Sequence, residues 1–147
     1  MFISRTRAST ARPYYSNADG DKMKYEDVDS LLLKTFPDFT IDIIDEGLPY
    51  CVAGNFARYL LEKYESGSHD TLVLAGDFIE KLFSYKNEKI DNLAVVGYLE
   101  GIQNVWSHSS TDAGEVIKFL GITSRKWWSR LNDFWSGNIY ALKDNDC

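Results

Sequence analysis

At 147 residues, 44% of them hydrophobic and 14% aromatic, the chain carries enough apolar material for one core of its own, which excludes a disordered or disulfide-stapled protein. Two cysteines, Cys51 and Cys147, are too few for a disulfide framework or a four-ligand zinc site, and no apolar run approaches the roughly 20 residues that span a bilayer; the expectation is a cytoplasmic protein with no membrane partner. The net charge of −6 is uneven, with seven acids against Lys34 alone between Glu26 and Glu46, a surface that repels nucleic acid and favours a basic partner.

Residues 1–22 mix Ser, Thr, Ala and Arg without an apolar period, and Met23 stands just before the first regular pattern. They are expected to form a flexible basic leader, either an organelle transit peptide or, more simply, sequence upstream of a start at Met23. A helical domain over residues 23–137 and a polar tail over 138–147 complete the expected organisation. The first helix is predicted from about Tyr25 to Phe36, with Val28, Leu31, Leu32 and Thr35 on one side and Pro37 as its stop. Phe39, Ile41 and Ile43 then alternate with polar residues, which fits a short extended connector or a helical turn.

After the break at Gly47 and Pro49, Val52, Ala53, Phe56, Ala57, Leu60, Leu61 and Tyr64 recur at spacings of three and four, predicting a second helix to Tyr64. Ser68 or Asp70 can cap a third, whose apolar stripe runs from Leu72 to Phe83. Lys86 to Lys89 read as a charged turn. The fourth helix, Asp91 to Trp106, places Val95, Tyr98, Leu99, Ile102, Val105 and Trp106 on one broad face, and is the expected centre of the fold. Thr111 or Asp112 can cap a short fifth helix that Gly121 would stop in the left-handed conformation. In the sixth, capped by Thr123 or Ser124, Trp127, Trp128, Leu131, Phe134 and Trp135 are expected to bury one side. Short loops between these elements imply an all-α fold of five to six mostly antiparallel helices.

Few residues suggest chemistry. Gly97 and Gly101 have the spacing of a close helix crossing, expected within the chain rather than at a dimer face. Glu100, Gln103 and Asn104 share the polar face of the fourth helix and could assemble a polar site. The pairs Asp45 and Glu46, and Asp112 and Glu115, sit at turns or helix starts, where the helix dipole alone favours acids. His69 and His108 lack companions at metal-ligand spacing, and there is no HExxH, CxxC or glycine-rich phosphate loop; no metal, cofactor or catalytic residue is expected. Arg125, Lys126, Trp127, Trp128 and Arg130 interleave bases with aromatics, yet three bases in an acidic protein are too few to point to nucleic acid.

The stretches GLPYCVAGNFARYLLEKY (47–64), DFIEKLF (77–83), DNLAVVGYLEGIQN (91–104) and LGITSRKWWSRLNDFW (120–135) resemble a family of small all-helical bacterial proteins of the general type of immunity proteins of polymorphic toxin systems. The similarity covers most of residues 25–135, carries no catalytic residue, and leaves the basic leader outside the pattern. It implies a non-enzymatic protein that neutralises a cognate toxin by protein contact, for which an acidic face suits a basic substrate groove. Asp38, Asp42, Asp45 and Glu46 are the first-choice contact residues, and Glu100, Gln103 and Asn104 the second. A helical adaptor or regulatory protein with another partner is the alternative.

Overall fold

Alanines and glycines on two long helices let their backbones run close together. The computed structural model describes residues 22–137, so the expectations for the leader, apart from Lys22, and for the tail lie outside the described residues. Within them the elements are α1 (Val28–Thr35), α2 (Pro49–Glu65), α3 (His69–Leu82), α4 (Glu88–Asn92), a π-helical segment (Leu93–Leu99), α5 (Glu100–Ser107) and α6 (Ile122–Trp135). Short 3₁₀ turns cover Tyr25–Asp27, Ile43–Asp45, Phe83–Tyr85 and Ala113–Phe119, and no strand occurs among the described residues. The fold is all-α, as its apolar periods predict.

The central helix is longer than expected, because α4, the π segment and α5 follow without a break from Glu88 to Ser107. It begins three residues early because the Asn87 side chain accepts from Ile90 N at 3.2 Å and caps the helix. The π segment is the larger departure. Its wider turn directs Leu93, Ala94, Val95, Gly97, Tyr98 and Leu99 all into the core, and re-phases the face that follows. Downstream, Ile102, Gln103 and Trp106 are buried, while Val105, expected inside, is only half-buried.

Gly97 and Gly101 face α2, so their role is packing within the chain. A Cβ on Gly97 would lie 3.3 Å from Ala53 Cβ and 2.8 Å from Leu93 Cδ1, and one on Gly101 would lie 3.9 Å from Ala53 O. The same pair of helices is tied lower down by Trp106, fully buried, whose Nε1 donates to Ala57 O at 3.1 Å. Around Phe56 of α2, edge contacts with Phe36, Phe39 and Tyr98 fill the space between α1, α2 and the π segment.

Three expectations about the C-terminal third need correction. The fifth helix is a 3₁₀ turn, Ala113–Phe119, although Asp112 caps it as expected by accepting from Gly114 N at 2.9 Å. Gly121 is extended (φ −79°, ψ −179°), not left-handed; a Cβ there would sit 2.5 Å from Glu80 Cδ, so closeness to a side chain explains it. In α6 only Trp128 and Leu131 of the apolar set are buried; Trp127 and Phe134 are half-buried and Trp135 is exposed.

Candidate functional site

The connector from Asp38 to Asp45 runs antiparallel along one stripe of α2. Asn55, Tyr59 and Lys63 recur every four residues and therefore share one side of that helix. Asp45 Oδ2 accepts from Asn55 Nδ2 at 2.6 Å, and Asp38 accepts from Tyr59 OH at 2.6 Å and pairs with Lys63 Nζ at 2.8 Å. The hydrogen bonds from Lys63 and Tyr59 hold the Asp38 carboxyl below the usual carboxylate range. Burial, and then the hydrogen bond to Asp38, push the Tyr59 phenol upward. Asp38 and Asp45 are thus largely spent on holding this connector to α2.

Asp42 and Glu46 are placed differently. Both are exposed, and neither side chain has a hydrogen bond or ion pair among the described residues. They flank the Ile43–Asp45 turn, where the alternation expected from the sequence fails: Ile41 packs on the core, but Ile43 is 77% and Ile44 76% exposed. Leu48 and Tyr50 follow as further exposed apolar side chains. Asp42 and Glu46 therefore border the exposed pair Ile43 and Ile44, with Leu48 and the partly exposed Tyr50 beyond Glu46. Sequence reasoning selected the acids and missed the isoleucines between them. The available signal was Ile43 and Ile44 in tandem, since neighbours in a turn cannot both follow an inward-facing period.

The second group of expected site residues does not stay together. Glu100 is half-buried, and burial pushes its carboxyl above the usual range. Asn104 is exposed, its backbone carbonyl accepting from Ser107 Oγ at 2.8 Å and facing a ring nitrogen of His108 at 2.8 Å. Gln103, expected on a polar face, is buried against α6, donating from Nε2 to Trp128 O at 3.3 Å and to Asn132 Oδ1 at 3.2 Å. The re-phasing by the π segment accounts for this inward turn. Gln103 and Asn104 line a groove of about 460 Å³ between α5, the Ala113–Phe119 turn and α6, whereas Glu100 does not.

Two of the three bases of α6, Arg125 and Arg130, are engaged within the chain. Arg130 stacks on the Trp127 ring at 4.8 Å, and Arg125 Nε donates to Leu120 O at 2.9 Å. Among the described residues no three His, Cys, Asp or Glu side chains converge, and no helix is long and apolar enough to cross a membrane.

Neither a curated protein nor a solved structure matches this chain. One family model does, over residues 30–136, from within α1 to the end of α6, and the chain therefore belongs to that family, the domain of unknown function DUF7674.

Proposed function

We propose that this protein is a non-enzymatic binding protein whose contact surface is the turn from Asp42 to Tyr50, and that its partner is a toxin with a basic surface, neutralised in the cytoplasm of the cell that makes both. The observation that carries the reading is the exposure of Ile43 and Ile44, more than three quarters each, between the unpaired acids Asp42 and Glu46. Apolar groups on a folded surface are ordinary when few and scattered; grouped and rimmed by polar residues, they mark a surface that another protein covers. Apolar anchors at the centre supply affinity, while acids at the rim steer a basic partner and set its orientation.

The division of labour among the acids supports the same reading. Asp38 and Asp45 fix the connector through Lys63, Tyr59 and Asn55, so the turn is held in place before binding. A preorganised loop loses less conformational entropy when a partner docks. Asp42 and Glu46 remain to meet positive charge. The test is titration of the full chain, by calorimetry, with the purified product of the neighbouring reading frame. Asp42→Lys combined with Glu46→Lys is expected to weaken binding and to reverse its salt dependence. Unchanged affinity after reversal would place the contact elsewhere.

A further inference from the structure

Beside the Asp42–Tyr50 turn, α1 and the connector enclose a pocket of about 350 Å³. Asp29 and Leu33, one helical turn apart on α1, form one side of it. Phe39 and Ile41 of the connector, with Glu46 beyond the 3₁₀ turn, form the other. The walls are therefore apolar along most of their length: Phe39 is buried, Ile41 packs on the core, and Leu33 is partly exposed toward the opening.

Both charged groups in this lining are acids, and no base accompanies them. Neither Asp29 nor Glu46 has a side-chain hydrogen bond or an ion pair among the described residues. Glu46 is exposed and keeps its water, but Asp29 is half-buried. Its Oδ1 is closed off without a partner, so the carboxylate meets the pocket through Oδ2. Burial pushes the Asp29 carboxyl above the usual carboxylate range, as a charge short of both water and donors requires. A cation at Oδ2 offsets that penalty, whereas an anion adds to it.

We propose that this pocket receives an arginine side chain of the partner protein, with its methylene stem against Leu33, Phe39 and Ile41 and its guanidinium on the Asp29 and Glu46 carboxylates. The proposal rests on the protein-contact reading above and names the group that the partner inserts, since Glu46 belongs both to the pocket and to the contact turn. Arginine suits the pocket better than lysine because its guanidinium is planar, weakly hydrated and rich in donors, and so serves two carboxylates while partly leaving water. A bare metal ion gains nothing from the apolar walls, and no third His, Cys, Asp or Glu converges with these acids among the described residues.

The experiment uses the full chain and two probes, N-acetyl-arginine amide and N-acetyl-citrulline amide, in which a neutral urea replaces the guanidinium. Titrations to millimolar concentration at constant ionic strength are followed by backbone amide resonances in two-dimensional NMR. The arginine compound is expected to shift the Asp29, Ile41 and Gly47 amides saturably, and the citrulline compound to bind at least tenfold more weakly, as loss of charge from paired hydrogen bonds implies. Asp29→Asn removes a charge that no described residue pairs and should leave the circular dichroism unchanged. It is expected to weaken the arginine compound about tenfold without affecting the citrulline compound, and to weaken the product of the neighbouring reading frame by a similar factor. Equal affinity for the two probes, shifts that map away from Asp29 and Gly47, or an Asp29→Asn chain that binds as tightly as the parent would each overturn the proposal. The probe titrations need no partner protein: a chain that binds the arginine compound but not the neighbouring product sinks the toxin reading alone, and a chain that binds the product but not the arginine compound sinks the pocket alone.

Discussion

The Glu80 carboxylate of α3 caps α6 through Ser124: Oε1 accepts from Ser124 N at 3.0 Å and Ser124 Oγ at 2.8 Å, while Oε2 accepts from Thr123 N at 3.1 Å. The first turn of α6 has no cap of its own side chains, so the orphan amides are satisfied by a residue more than forty positions earlier. Burial pushes the Glu80 carboxyl up, but the hydrogen bonds from Ser124 and Thr123 together outweigh it and hold the group below its ordinary value. A folded-state value below the unfolded one stabilises the protein above the unfolded value of Glu, and that contribution is lost as pH falls through the lowered folded value. Glu80→Gln is therefore expected to cost about 1 kcal/mol at neutral pH, as loss of a cap does, and to flatten the decline of stability below pH ~4.5. Urea unfolding of both proteins between neutral and acid pH checks this; parallel pH curves would refute the role assigned to Glu80.

Gly76 and Gly54 should respond in opposite ways to alanine. A Cβ on Gly76 would fall 1.8 Å from the backbone oxygen of Phe119, so α3 and the Ala113–Phe119 turn must separate to admit it. Forced overpacking against backbone costs about 3 kcal/mol, and Gly76→Ala should lower stability by that order. Gly54 lies within α2, and beyond the helix's own adjacent backbone no atom among the described residues comes within 4 Å of a built Cβ, so Gly54→Ala should gain up to about 1 kcal/mol from helix propensity. Thermal and urea unfolding of the two variants side by side give the signs directly.

Tyr98 carries a hydroxyl into the core without using it. The residue is buried in the π segment, and its OH has no hydrogen-bond partner among the described residues; burial, reinforced by the nearby Asp29 charge, pushes the phenol far above its ordinary value. The ring itself packs edgewise on Phe56 and Phe78. Tyr98→Phe keeps these ring contacts and removes an unsatisfied polar atom, so it should raise stability by about 1 kcal/mol. A loss of similar size would mean that the hydroxyl has a partner.

Much of the fold was legible because apolar residues at spacings of three and four marked α2, α3 and the central helix, and because Pro37 stopped α1 as expected. What sequence could not supply follows from long-range contact. The cap of α6 comes from Glu80, and Gly121 is required by that same side chain rather than by its own backbone angles. The π segment breaks the assumed 3.6-residue period, which is why Gln103, expected on the polar face, is buried and Val105, expected in the core, is half-buried. Of the expected contact acids, Asp42 and Glu46 are available while Asp38 and Asp45 are engaged, a distinction that depends on α2 lying alongside.

The central claim is that Ile43 and Ile44 anchor a protein partner. Both side chains are more than three-quarters exposed, so replacing them with serine removes apolar contact area without opening a cavity in the core. The direct measurement is the dissociation constant of the full chain and of its Ile43→Ser, Ile44→Ser double variant for the product of the neighbouring reading frame. The account predicts tight binding by the parent chain and a loss of about 100-fold or more in the variant, the scale of two central apolar anchors, with unfolding stability unchanged. Equal affinity of the two proteins for that partner would contradict it.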